Sequence, residues 1–562
     1  MSRWRVATAA LGLVAAACSG AQPATAPAPT EAPSPSTTSP SVPAVLPSGS
    51  GWAACWSAPV EAVSAGPVRW EDRTERAGLV DPLRGVMGHA VAAGDVNGDG
   101  WDDLLVGTFG DRPTRDYQLR GATGPAPDRL LLGGPDGYRP DGSFPELRGR
   151  STGAVLADLD GDGDLDAVLA RNVVSRDGGP ELRAPTLLLE NDGGQLRVAA
   201  ELDRSRGSRS VGVLDFDRDG RLDLFLVEDR LTGGSSVLLR NDGGLSFTDA
   251  TDEAGLPPDV AGLGVAVADL TGDGWGDLFV AGSNRLFVNT GGGFAEERSA
   301  VFAWDSYGPE DDVAGVAVGD LDRDGWPDLV VGQHYGSTTE DGRRVPVRVY
   351  RNRGEGARPG DRFTDVTDAA GVPAFATKAP DVEVADLDND GWPDVVVTAS
   401  AEGGTVPTVL RNLGGEGGGL AFSAPGGLGD PQYWVTGVTT DADHDGRLDL
   451  FVAEFAPRLP SRLLGNAGPS GHWLAVSVAD AVGGVGALVE VYRAGAAGQP
   501  EALLARTEIG VTVGYGAGRA ARAHVGLGAE TSVDLRVTPS GADPVVLPAV
   551  GADAAVRVGG AC

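Results

Sequence analysis

Between about residue 66 and residue 467 the chain alternates short apolar runs with polar, Gly-rich turns, and the runs come in sets. A first run with small residues (GVAVAD, GVAVGD, VEVAD) leads into an acidic turn, and a second run rich in branched and aromatic residues leaves it (LLVG, LFLV, LFVA, LVVG, VVVT). Runs of this length and composition read as β-strands, so each acidic turn closes a hairpin. A third run ends near an Asn and a Gly-rich turn (TLLLENDGG, SVLLRNDGG, RLFVNTGGG, TVLRNLGG), and a fourth begins with an aromatic residue, as at Phe247 and Phe363. Four strands per repeat are the content of a propeller blade.

The acidic turn has the pattern D-x-[DNT]-x-D-G-x-x-D and occurs seven times, with starts 63, 57, 54, 51, 66 and 55 residues apart. In such a turn the side chains at positions one, three and five converge, position seven offers its carbonyl and position nine a further carboxylate. The candidate ligands of the first four turns are Asp95, Asn97, Asp99, Trp101 and Asp103; Asp158, Asp160, Asp162, Asp164 and Asp166; Asp215, Asp217, Asp219, Arg221 and Asp223; and Asp269, Thr271, Asp273, Trp275 and Asp277. Those of the last three are Asp320, Asp322, Asp324, Trp326 and Asp328; Asp386, Asp388, Asp390, Trp392 and Asp394; and Asp441, Asp443, Asp445, Arg447 and Asp449. Six or seven hard oxygens at about 2.3–2.6 Å suit Ca²⁺, so about seven calcium sites are expected, one per blade. Thr271 makes the fourth site the weakest, and Asn97 makes the first less charged.

An EF-hand begins in the same way but requires flanking helices and a bidentate Glu at position twelve. Here that position holds Val106, Leu169, Leu226, Val280, Val331, Val397 and Val452, none of which can ligate a metal. The Gly at position six, Gly100 in the first turn, permits the sharp reversal. Position-seven Trp side chains are expected to pack against the neighbouring blade, and His444, at position four of the seventh turn, to point to solvent.

The segment VRWEDRTERAGL, Val68 to Leu79, resembles the fourth strands but precedes the first turn, whereas the seventh repeat ends after its third strand, SRLLGN. Residues 66–79 are therefore expected to complete the last blade and close the ring, which removes its open edges. The expected fold is all-β: a seven-bladed β-propeller over residues 51–467, followed by a small β-domain over 468–562.

Charge changes the picture of what this ring can bind. The formal net charge is −34, which repels a phosphate backbone and excludes nucleic acid as a natural partner. The seven turns hold 26 carboxylates at positions one, three, five and nine, which repel one another unless cations lie between them.

At the N-terminus, Arg3 and Arg5 precede an apolar run too short for a permanent span, so residues 1–17 read as a signal peptide. The run ending Ala16-Ala17-Cys18 resembles a bacterial lipobox, with Ala15 departing from the usual Leu, which implies lipidation at Cys18. Residues 18–50, almost entirely Ala, Pro, Ser and Thr, then form an extended tether. The protein is expected to be extracytoplasmic, held to the cell envelope or surface only through Cys18, and otherwise secreted. Cys55 and Cys562 remain as an even pair for a disulfide in an oxidising compartment.

Spacing, flanking strands and copy number of the turns resemble integrin-type FG-GAP and VCBS repeats, and the resemblance covers about residues 66–467. It implies an extracellular recognition, adhesion or scaffold module rigidified by calcium. From about Gly471 the stretches GHWLAVSV, GVGALVEVYRAG, TEIGVTVGYGAG, HVGLG and SVDLRVTPSG resemble, in order, the ASPIC/UnbV domain of the cartilage acidic protein family, with Thr538 in place of the family's Trp. Alternating apolar residues in these segments indicate a small β-domain packed on or beside the ring.

The five histidines, His89, His334, His444, His472 and His524, show no metal or base–nucleophile spacing, and no G-x-S-x-G, P-loop or H-E-x-x-H motif is present. The expectation is a non-catalytic surface module for an extracellular protein or glycan. The alternative is a carbohydrate-active lyase or hydrolase with charged side chains over the central channel.

Overall fold

The computed structural model describes residues 51–562, apart from 61–62, 65, 173–184, 204–206, 230–233, 303–311, 335–344, 376–380, 399–406, 416–418, 425, 429–433, 457–458 and 561. The signal segment, Cys18 and the tether lie outside the described residues. No described helix is long and apolar enough to cross a membrane.

The paired apolar runs flanking each acidic turn form antiparallel hairpins, and a third and fourth strand extend each one outward. In the third repeat, Ser208–Leu214, Asp223–Glu228, Val237–Gly243 and Ser246–Asp249 pair in sequence order. Among the described residues six sheets of this kind occur, and Gly88–Gly94, Asp103–Thr108, Arg129–Leu132 and Arg139–Pro140 form a further run of four within a six-stranded sheet. They follow one another as blades, with innermost strands packed side by side and Trp434–Thr440 of the last packed on Gly88–Gly94 of the first. The last unit takes its outer strand from Trp70–Asp72, which pairs antiparallel with Arg462–Asn466.

Small residues on the inner strands follow from crowding at the centre. A Cβ on Gly153 would stand 2.6 Å from the Arg209 carbonyl oxygen, and one on Gly264 would stand 2.1 Å from that of Ala314. Between blades the core is apolar: Phe225, Val227, Leu238, Val265, Leu278, Val280 and Phe287 form one such layer, all essentially without solvent contact. Each buried side chain of this kind stabilises by about 1.5–3 kcal/mol.

The C-terminal part is a two-sheet sandwich. One sheet orders Trp52–Ser57, Ala554–Val558, His472–Val478 and Ala523–Gly528, and the other orders Leu503–Glu508, Leu488–Arg493, Ser532–Thr538 and Val545–Gly551. Leu474, Val476, Val489, Val491, Val533 and Leu535 fill the space between the sheets. Residues 52–57, grouped with the propeller on sequence order, thus belong to this sandwich, because they pair with Ala554–Val558 and Cys55 is bonded to Cys562 (Cα–Cα 5.4 Å).

The sandwich does more than lie beside the ring. Its Thr512–Val513 and Ala517–Gly518 strands form a hairpin in the central channel, where Val91 and Ala92 of the first blade pair in parallel with Ala517 and Gly518. Tyr515 at the tip is buried among Leu263, Ala314 and Val435, from three different blades.

Candidate metal centres in the blade turns

All seven turns share one hydrogen-bonded frame. The position-one Asp accepts the position-six Gly N–H at 2.8–3.0 Å. Those glycines have φ between 81° and 98°, a region costly for any side chain. The position-five Asp accepts the position-seven N–H at 2.9–3.0 Å, and in five turns its other oxygen accepts from a side chain: Asn97, Arg221, Arg351, Arg411 or Arg447.

Position nine is anchored rather than free. One oxygen accepts the position-two N–H in six turns. The other accepts an N–H at or just beyond the end of the third strand in all seven, at 2.7–2.8 Å. In the seventh turn Arg73, from the N-terminal strand, replaces the position-two N–H and reaches both Asp449 and Asp443.

Carboxylates at positions one, three and nine come within 4.8 Å of one another in the second, third, fifth and sixth turns; in the seventh turn positions one, three and five do so. The first and fourth turns form no such trio among the described residues, since Asn97 and Thr271 stand at position three. Asn97 is folded into the turn, accepting the Asp99 N–H and donating to its carboxylate, both at 3.0 Å.

The donor set suits a hard cation. At position three, Asp217 Oδ1, Thr271 Oγ1 and Asp388 Oδ1 are buried oxygens with no hydrogen-bond partner, a costly arrangement unless something else satisfies them. Burial first, and neighbouring carboxylates second, raise the position-one groups, with Asp320 at about 7 and Asp386 and Asp441 well above the usual range. Position-nine groups are raised too, chiefly by burial: Asp103, Asp166 and Asp449 to about 7, and Asp223 and Asp277 to about 8. Arg221, Arg351, Arg411 and Arg447 reach the position-five carboxylates, partly offsetting this charge.

Position four of the third, fourth, fifth and seventh turns meets position seven of the next turn around the ring. Arg218 lies 3.8 Å over the Trp275 ring and Arg323 4.8 Å over Trp392, while the Trp326 ring leaves no room for a Cβ on Gly272. His444 does not point to solvent. Its ring is sandwiched between Trp101 (3.8 Å) and Trp56 (4.3 Å), both within 5° of parallel, and burial holds its imidazole down at about 4. Sequence reasoning could not place it so, because Trp56 arrives with the sandwich.

A further set of residues was visible only as punctuation. The Asn ending the third strand in six blades (Asn191, Asn241, Asn289, Asn352, Asn412, Asn466) donates its side-chain amide to the position-two carbonyl of the preceding blade's turn, at 2.6–2.9 Å. Each of the first six turns is thereby tied to the next blade. The first blade has Gly133 at this point, so the seam with the seventh blade is closed differently, by Thr440 and Arg522 converging on Asp102.

The sandwich covers the face that carries the turns. Glu508 accepts the Asp269 N–H at 2.8 Å, Arg506 donates to the Gly325 carbonyl, and Gly471 N–H donates to the Asp388 carbonyl at 2.8 Å. At the hairpin tip, Tyr515 Oη lies 3.5 Å from His89 Nε2, with Arg209 and its partner Asp229 alongside. These groups are largely or wholly buried, and desolvation lowers His89 to about 3.

Comparison with known proteins agrees with the repeats. The FG-GAP-like repeat matches residues 215–280, 272–331, 336–397 and 386–452, and the FG-GAP repeat matches 87–118. Among curated proteins the chain is similar to cartilage acidic protein 1 of Mus musculus, 27% identical over 419 residues, covering 69% of this chain and 61% of that one. The Homo sapiens protein of the same name is 26% identical over 358 residues, covering 59% and 51%. The chain thus spans about half to three fifths of the length of these relatives. Among solved structures, BBS1N in complex with ARL6DN is 11% identical with a TM-score of 0.42, covering 69% of this chain and 96% of that one. A Bacillus licheniformis rhamnogalacturonan lyase is 16% identical with a TM-score of 0.36, covering 67% and 71%. Neither likeness is close enough to carry an argument about this chain.

Proposed function

We propose, from the premise that this chain is an FG-GAP-repeat propeller protein related to cartilage acidic protein 1, that its blade turns bind calcium and that the ring is a calcium-stabilised, non-catalytic recognition or scaffold module. The observation that carries this reading is the set of buried position-three oxygens without partners, of which those of Asp217 and Asp388 belong to residues clustered with two further carboxylates of the same turn. Calcium would be held by the side chains at positions one, three and five, with position nine completing the set. Its charge would offset carboxylates whose mutual repulsion otherwise weakens the ring.

The partner is an extracellular protein or glycan, and the site of action is the cell exterior, with Cys18 as anchor. A carbohydrate-active enzyme working over the channel is the other reading. The Thr512–Gly518 segment fills that channel from within, which favours recognition by the outer surfaces over catalysis at the centre.

Elemental analysis and thermal unfolding, in millimolar calcium and in excess chelator, test the reading. Close to seven ions per chain and a large fall in melting temperature on chelation are expected. No bound calcium with unchanged melting would overturn it.

A further inference from the structure

The seven turns share one sequence pattern but not one environment. In the first four, the position-one Asp is partly exposed; in the last three it is buried. The sixth turn is the extreme: Asp388 and Asn389 have no exposure at all, and Asp388 Oδ1 has no partner.

What covers it comes from outside the blade. Gly66 N–H donates to Asp388 Oδ2 at 3.0 Å, and Arg411 Nε, from the blade's own third strand, reaches the same oxygen at 2.6 Å. Gly471 N–H donates to the Asp388 carbonyl at 2.8 Å, and Gly528 N–H to the Asn389 carbonyl at 2.9 Å. His524 Nε2 lies 2.8 Å from Asn389 Oδ1, and Gly526 passes so close that a Cβ there would stand 2.0 Å from Asp386 Oδ2. Gly526, Gly528 and His524 lie on one strand of the sandwich whose hairpin fills the channel, and Gly471 immediately precedes another.

We propose that the cation of the sixth turn is sealed beneath the C-terminal sandwich and leaves only when the sandwich lifts, so that one ion per chain locks the sandwich onto the ring. This rests on the calcium reading above. A metal ion exchanges as water replaces its ligands one by one, and water does not reach Asp388 while the sandwich is seated. The coupling runs both ways: without the ion, the sandwich would sit on the buried carboxylates of Asp386, Asp388 and Asp394 with Arg411 and Arg323 to offset them, an arrangement that desolvation disfavours.

The test is release of calcium from the full, calcium-loaded chain into excess chelator, followed by an indicator dye. One ion of the total should leave at least about tenfold more slowly than the rest, at the rate at which the sandwich opens. Asp388→Asn should abolish the slow phase, while Asp160→Asn, in the exposed second turn, should leave it intact and reduce only the fast phase. Amide exchange of the unmodified chain, which needs no variant to fold, should show residues 511–519 losing protection in chelator. No bound ion would overturn the calcium reading itself. A full complement released in one phase, a slow phase that survives Asp388→Asn, or unchanged protection of 511–519 would overturn the lock while leaving that reading standing.

Discussion

The second and sixth turns present the same four carboxylates at the same spacing, Asp158, Asp160, Asp162 and Asp166 against Asp386, Asp388, Asp390 and Asp394. In the second, Gly161, Asp162 and Gly163 face solvent; in the sixth, the corresponding stretch is closed over by Gly66, Gly471 and Gly526. Local sequence sets which atoms converge on a point. How strongly that point is isolated from water is decided by segments tens to hundreds of residues away. Equal chemistry therefore does not mean equal strength.

Stability measurements can break this contrast. Asp388→Asn should cost about 3 kcal/mol in denaturant unfolding with calcium present, because it weakens a buried ion site and leaves Arg411 short of its partner. Asp160→Asn should cost about 1 kcal/mol, since water can reach the vacated position. Equal losses would mean that burial contributes nothing to the difference.

Acidity sharpens the same point. Without metal, Asp103, Asp166, Asp223 and Asp277 are held at about 7 to 8, against an ordinary value of 3.8. Between these limits the folded state binds more protons than the unfolded one, so the contribution is present at acid pH and is lost as pH rises through 7 to 8. In chelator, the melting temperature should fall by several degrees between pH 5.5 and 8.5. With calcium bound the carboxylates stay ionised and the slope should reverse, acid displacing the ions.

Smaller effects test the links between turns. Asn241→Ala removes an amide shared by the Leu159 and Leu222 carbonyls, and should cost about 1–2 kcal/mol. His444→Ala, at the seam that lacks such an Asn, should cost about 1 kcal/mol through loss of its stack on Trp101 and Trp56. A larger effect at His444 than at Asn241 would make the first-to-seventh seam the weak point of the ring.

The turns and their flanking strands were legible because each is a local device: a Gly forced to positive φ, a carboxylate reaching a nearby N–H, and strands read from β-branched runs. The outer strand at Trp70–Asp72 was legible for a related reason, since WEDRT repeats the chemistry of FTDAT and FTDVT. The hairpin at Thr512–Gly518 was not. TVGYGAG has neither helical nor strand periodicity, and what it fits is a channel lined by residues spread from His89 to Val435. Trp52–Ser57 escaped notice for the opposite reason: it reads as an ordinary strand, and only its partner, about 500 residues later, tells which sheet it joins. The Asn residues at the third-strand ends were seen as turn markers, because their partners lie in the preceding repeat.

The disulfide between Cys55 and Cys562 has a mechanical consequence. The first described strand is paired and covalently joined to the end of the chain, and both lie in the sandwich. A pull applied ahead of Cys55 enters the folded body at the edge of that sheet. If it leaves through a contact on the sandwich, the load passes across one bond and a few strands, and the blades bear none of it.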